Sequence, residues 1–421
     1  MLELTDRDRD LLDGVHGPGR RLAMEIVVHT ARTMGAERLL DISRAHIDSC
    51  VFYGVAGLDF AERLVSGGAS VVVPTTLNIS SLDLLHPELY RGDDETRELA
   101  TRLTDAYIAM GGYPTWTCAP YHLPDRPVFG EQIAWAESNA IVFANSVIGA
   151  RTDRYGDFID VSCAVTGRAP AAGLHLSENR SADVLFRING IPDHLLGHDV
   201  LFPVLGHLLG RRAGTGVPVI EGLLPTTTED QLKAIGAAAA SSGSVAMFHA
   251  VGVTPEAPTL TAALGGQEPQ LVIDVTPPLL AAARDELTTR TDLPLRAVNL
   301  GTPHMSIDGF AALVFLIDGR RIHNEIDCYV NTGRDTLNEV AARGWLETLE
   351  ASNVQIVTDT CTYVTPIVRR TDGLMMTDSG KWAWYAPGNL GVDVVYAATE
   401  ECVESAIAGR IVRDPAIWQG V

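Results

Sequence analysis

The sequence predicts an α/β protein with parallel sheets, helices on both sheet faces and a division into two lobes. Three observations lead there. Short β-branched runs such as Val354-Gln355-Ile356-Val357, Ala69-Ser70-Val71-Val72-Val73 and Leu295-Arg296-Ala297-Val298 alternate with longer stretches of helical apolar period, the pattern of strand–helix–strand units. At 421 residues the chain exceeds one simple core, so two domains or one large elaborated domain are expected. Several strand-like runs stop on small polar residues, as strands do where an open α/β sheet meets its ligand.

Composition excludes several classes. An apolar content of 46% with 20% charged residues is an ordinary globular balance. The net charge of −21, with no basic run, speaks against nucleic acid and anionic membranes as partners. The first residues, Met1-Leu2-Glu3-Leu4-Thr5-Asp6-Arg7-Asp8, are charged where a signal peptide is apolar, and no apolar run reaches the length of a membrane span, so a cytoplasmic protein is expected. Six scattered cysteines fit neither a disulfide framework nor a paired-cysteine zinc site.

Taken in order, residues 1–40 read as amphipathic helix that serves packing. His46 and Asp48, two apart on an extended segment, point to one side; the spacing suits an acid–base or orienting pair and equally an ordinary strand face. A buried strand is expected over 69–74, followed by the polar run that holds Thr76 and Asn78, which fits a small polar substrate or a helix cap. Residues 93–110 read as an exposed helix. Cys118 sits between Pro114 and Pro120 among aromatics, a rigid, dry loop that suits a metal or cluster ligand and also plain packing. Asn145, Ser146 and Arg151 follow another strand-like run, and an Arg there forks onto a carboxylate or solvates a surface. Strands are expected near 183–188, 217–220, 244–249 and 270–273. With Pro- and Gly-rich joints near 167–173 and 252–267, they set off a second lobe over 169–291 from a catalytic part formed by 1–168 and 292–421. The small residues of 234–242 read as a packing surface.

The last third carries the most signals. His304 and Ser306 follow one strand-like run, Cys361 a second, and Ser379 with Lys381 a third. In a parallel sheet such strand ends converge on one crevice. A lone buried cysteine is otherwise a small core hydrophobe.

These residues resemble the aconitase X family along nearly the whole chain. The stretches are AHIDSC (45–50), VPTTLN (73–78), PTWTCAPY (114–121), ANSVIGARTDRYGDF (144–158), TGRAP (166–170), GLHLSENR (173–180), GTPHMS (301–306), VTDTC (357–361) and TDSGKWAWYAPG (377–388). The resemblance implies aconitase-like parallel or mixed sheets with helices on both faces, and two lobes around a central cleft. It implies a hydro-lyase that removes a proton α to a carboxylate and expels a β-hydroxyl, with cis-3-hydroxy-L-proline as substrate and Δ1-pyrroline-2-carboxylate as product. The implied cofactor is an iron–sulfur cluster, 2Fe–2S or 4Fe–4S, or otherwise a single iron or another divalent metal. Cys118 and Cys361 match cluster ligands; Ser379 matches the base, with Lys381 lowering its pKa or binding the carboxylate; His304 is the acid or an orienter. Substrate contacts are assigned to His46, Asp48, Thr76, Asn78, Asn145, Ser146, Arg151 and Ser306.

Two departures stand out. Thr302 occupies the third metal-ligand position, where much of the family carries Cys, and a hydroxyl is a poorer iron ligand than a thiolate; either Cys163, Cys328 or Cys402 substitutes, giving a different or smaller cluster, or the site holds a single metal ion. Asp378 stands where Asn is commoner, adding a charge beside Ser379. The family's small swivelling domain finds no segment here, so a separate small subunit is an expected partner. Altered chemistry without a cluster, or a non-catalytic subunit, are the competing readings.

Overall fold

Fourteen strands form four sheets in the computed structural model, which describes residues 2–421, and three of these sheets are parallel throughout. The chain divides into two units, Met1–Leu82 with Gly92–Ser181, and Asp83–Arg91 with Ala182–Val421. Residues 182–291 fall in the same unit as the last third.

In the first unit the strands are β1 (Leu39–Asp41), β2 (Ala45–Ile47), β3 (Thr75–Leu77), β4 (Ala134–Trp135) and β5 (Arg168–Pro170). β1 pairs antiparallel with β5, and β3-β2-β4 form a parallel sheet. Helix Pro18–Thr33 buries Ala23, Met24, Val27, Val28 and Ala31, one stripe at helical spacing, against helices Val55–Ser66 and Ile159–Thr166. The strand expected over 69–74 is not formed. Val71 and Val72 donate instead to the carbonyls of Met110 and Ala164, and Pro74 has no N–H for a ladder. Pairing starts at Thr75, which places Thr76 on the strand itself.

The second unit holds β6 (Val184–Ile188), β7 (Pro218–Glu221), β8 (His249–Ala250) and β9 (Leu271–Val275), in the order β8-β7-β6-β9. Of the strand expected over 244–249 only the end pairs, His249 with Val219. Then come β10 (Leu295–Leu300), β11 (Asp327–Thr332), β12 (Val354–Thr358), β13 (Leu374–Thr377) and β14 (Asp393–Tyr396), ordered β12-β11-β10-β13-β14 and all parallel. Leu295, Val298, Leu300, Val330, Ile356 and Met376 from these strands close on Phe310, Leu313 and Ile317 of helix Ile307–Ile317. Each such side chain contributes roughly 1.5–3 kcal/mol by leaving water. The short segment Asp83–Arg91 belongs to this unit because the Asp83 carboxylate accepts from the Thr358 N–H (2.9 Å) and hydroxyl (3.0 Å), while the Arg91 N–H donates to Pro366. No helix among the described residues is long and apolar enough to cross a membrane.

Helices Leu201–Arg212 and Glu229–Ser242 pack at backbone contact through small residues, as expected for 234–242. A Cβ on Gly206 would lie 2.3 Å from the Ile235 carbonyl, and one on Gly380 3.0 Å from the Ala238 Cβ. The seam thereby seats the start of helix Gly380–Leu390. Gly206→Ala is expected to lower stability by about 1–3 kcal/mol through overpacking, read as a lower midpoint in chemical denaturation; an unchanged midpoint would contradict this packing.

Candidate active site

In a five-stranded parallel sheet every strand presents its carboxyl end on one edge, and β10, β12 and β13 run out there into the three expected loops. Gly301 turns the first loop at φ 75° with its α-carbon so close to β11 that a Cβ would meet the Asn331 carbonyl at 2.3 Å; only glycine fits. His304 then lies buried, its Nε2 3.1 Å from the Thr360 carbonyl of the second loop. A carbonyl only accepts, so Nε2 carries a proton and donates it there.

The second loop passes through Asp359 at φ 61°. Its carboxylate is gripped by the Arg334 guanidinium at 2.7 Å through both Nε and Nη2, a fork that holds this left-handed residue in place. Cys361 follows, fully buried. In the third loop Ser379 caps helix Gly380–Leu390: its Oγ accepts from the Trp382 N–H at 3.0 Å and donates to the Thr302 carbonyl. The helix N-terminus and this N–H favour negative charge on Oγ. Lys381, 2% exposed, holds its ammonium 5.8 Å from the centre of the Tyr363 ring.

Asn331, at the end of β11, ties these loops together. Its Nδ2 donates to the Leu300 carbonyl (2.8 Å), Thr302 Oγ1 (3.4 Å) and Thr362 Oγ1 (3.3 Å), and its Oδ1 accepts from the Thr362 N–H (2.9 Å). Beside them lies a cavity of about 160 Å³ lined by Thr302, Ser306, Asp378, Ser379 and Lys381. Ser306 caps helix Ile307–Ile317 and donates to Asp230. Sequence reasoning had no local signal for Asn331 or Arg334, which act through residues 25 or more positions away.

The first unit assembles its own polar cluster. On adjacent strands His46 Nδ1 meets Thr76 Oγ1 at 2.8 Å, and burial pushes the ring down to about 4, so it is neutral near pH 7. Asn78 donates to Asp48 and, at 3.2 Å, to Glu137. Glu137 also accepts from Asn139 Nδ2 (2.7 Å), which in turn donates to the Cys118 carbonyl (3.0 Å), while Tyr121 donates to Asn139 Oδ1 (2.6 Å). Glu137 and Asn139, absent from the sequence reading, thus connect His46, Asp48, Thr76 and Asn78 to the Cys118 loop. Asn145 stands in a second group. Its amide exchanges hydrogen bonds with the Thr152 backbone at 3.1 Å each way and accepts from the buried Arg180 at 3.0 Å. Ser146 is buried beside it in sequence, and Arg151 bridges Gln132 through its backbone.

The thiols proposed to replace the missing ligand are core residues. Cys328 is the second residue of β11, roughly 13 Å from the carboxyl edge at a strand rise of about 3.3 Å. It shares a hydrophobic cluster with Cys402, and burial pushes its thiol up to about 12. Cys163 is buried in helix Ile159–Thr166, its thiol raised by burial. Cys118, Cys361 and His304 are each buried, and thiols with an imidazole are a donor chemistry compatible with a metal or an iron–sulfur cluster.

Asp160 supports the loop after β2 by accepting from the Asp48 and Ser49 N–H groups at 2.7 and 3.1 Å. Burial, with Asp157 adding to it, pushes its carboxyl up to about 6. The folded state therefore holds a proton that the unfolded chain releases near 3.8, and this contribution to stability is lost as pH rises from about 4 through 6. Asp160→Asn is expected to gain stability relative to the parent between pH 4 and 7 in paired denaturation curves; parallel curves would contradict the assignment.

Comparison with known proteins gives these residues a family context. Residues 1–178 match the profile described as Aconitase X first domain, 182–285 the second domain and 295–408 the third. The chain is 46% identical to cis-3-hydroxy-L-proline dehydratase of Pseudomonas aeruginosa, over 96% of this chain and 70% of that protein. It is 40% identical to the Hypocrea jecorina protein of the same name, over 97% and 69%. With the phosphomevalonate dehydratase large subunit of Methanothermobacter thermautotrophicus it shares 36% identity, over 93% and 96%. The crystal structure of Thermococcus kodakaraensis aconitase X in its holo form superposes with a TM-score of 0.86 at 32% identity, covering 96% of this chain and all of that one. The relatives carry dehydratase names, and this chain belongs to the aconitase X family.

Proposed function

We propose that the chain carries the catalytic site of a hydro-lyase that converts cis-3-hydroxy-L-proline into an enamine, which becomes Δ1-pyrroline-2-carboxylate. Higher identity to the proteins named for that reaction than to those named for phosphomevalonate supports this substrate. The observation that carries the reaction class is Ser379: a hydroxyl at a helix N-terminus, accepting a backbone N–H, beside a buried lysine and on the wall of a cavity. Those features stabilise the anionic Oγ that a weak base needs in order to take a poorly acidic α-proton.

In this reading the Lys381 ammonium pairs with the substrate carboxylate and lowers the cost of charge at the α-carbon. Ser379 Oγ takes the α-proton, the electron pair forms the Cα–Cβ double bond, and hydroxide leaves the β-carbon. An iron–sulfur cluster or a single iron would supply the Lewis acid for that leaving group. Cys118, Cys361 and His304 would hold it. The Thr302 hydroxyl already accepts from Asn331, which favours His304 over Thr302 as the third donor. A hydroxyl in place of the usual thiolate also favours a second reading, a single metal ion.

The test is anaerobic purification, measurement of iron and acid-labile sulfide per chain, and detection of product from cis-3-hydroxy-L-proline by proton NMR. Because archaeal relatives are named large subunits, turnover is read with the chain alone and with a small subunit added. Expected are product, stoichiometric iron with sulfide, and a loss in kcat of about 10²–10⁴-fold for Ser379→Ala at unchanged iron content. Iron without sulfide would select the single-metal reading. Full turnover in both Ser379→Ala and Cys361→Ala would overturn the proposal.

A further inference from the structure

The cavity beside Ser379 is walled by both signs of charge. Asp199, Asp230 and Asp378 line it together with Lys233 and Lys381. Two of these groups are matched to each other: Lys233 Nζ lies 2.6 Å from Asp230, which also accepts from Ser306. Asp199 accepts from Gln231 Nε2 at 2.8 Å. Asp378 takes its side-chain hydrogen bond from the neutral Thr399 hydroxyl at 2.9 Å. The wall therefore carries one carboxylate more than it has ammonium groups, and a ligand that fits it electrostatically offers a carboxylate to Lys381 and one positive charge to one of the two acids, Asp199 and Asp378, that lie outside the Lys233–Asp230 pair.

We infer that Asp378 is a specificity residue that receives the ring ammonium of an α-amino-acid substrate. The inference rests on the hydro-lyase reading above and deepens it. Position argues for Asp378 over Asp199. Asp378 is the chain neighbour of Ser379, which takes the proton of the α-carbon, and the ammonium nitrogen is bonded to that same carbon. Lys381, two residues beyond Ser379, takes the carboxylate on the other side. A zwitterion whose charges are separated by one carbon thus meets acid, base and ammonium in the order 378, 379, 381. The same wall repels a ligand that carries a phosphate and no cation. Burial pushes the Asp378 carboxyl up to about 6, and it is still ionised at neutral pH.

Binding of two non-reacting acids tests this directly, by calorimetry on the intact metal-loaded protein. L-proline and cyclopentanecarboxylate share a five-membered ring and a carboxylate and differ in the ammonium group. The parent is expected to prefer L-proline by about tenfold to hundredfold, the worth of one charged hydrogen bond. Asp378→Asn should lose that preference while binding cyclopentanecarboxylate as before. Thr399→Val, which removes the hydrogen bond and keeps the charge, should retain it. A full preference for L-proline in Asp378→Asn would overturn the inference and leave the hydro-lyase reading standing. Equal loss in Thr399→Val would make Asp378 a structural prop and overturn it as well. If the parent itself has no preference the inference falls, and product formation from cis-3-hydroxy-L-proline decides separately whether the hydro-lyase reading falls with it.

Discussion

Everything at the carboxyl edge of the five-stranded sheet depends on the side chain of Asn331. One amide reaches the loop that carries Thr302 and the loop that carries Thr362, with three donations and one acceptance. Trp382 closes the third side by donating its indole N–H to Thr362 at 3.0 Å. Loops that would otherwise sample many conformations, at roughly 1–2 kcal/mol of backbone entropy per residue, are held by a buried network in which each lost bond strands a polar group in a dry interior. His304, Cys361 and Ser379 inherit their positions from it.

The same edge concentrates electrostatics. A helix N-terminus, a buried ammonium and an imidazole held by a carbonyl mark one face of this edge, while the carboxylates at 199, 230 and 378 set the opposite sign on the cavity wall. Such a site sorts ligands by charge pattern more sharply than by size. Relatives named for different substrates match this chain over 93% and 96% of its length, and in the reading proposed above discrimination falls to wall residues such as Asp378.

The parts legible in the sequence were those with a local pattern. β-branched runs such as 295–298 and 354–357 marked a parallel sheet, and the polar residues that ended them marked its working edge. The run at 69–74 misled because composition cannot tell where a strand's N–H groups go; two of them found carbonyls at 110 and 164, and Pro74 ended the ladder before it began. Asn331, Arg334, Glu137, Asn139 and Arg180 were invisible for a related reason. Each is one polar residue whose partners lie far along the chain or across a loop, and no spacing rule points to them.

The most direct measurement is the fate of deuterium placed on the α-carbon of cis-3-hydroxy-L-proline. If Ser379 takes that proton, the parent releases the label to solvent with a primary isotope effect on turnover, and Ser379→Ala stops release and turnover together while keeping its metal. Label release by Ser379→Ala at the parent rate would contradict the account and move the base to another residue.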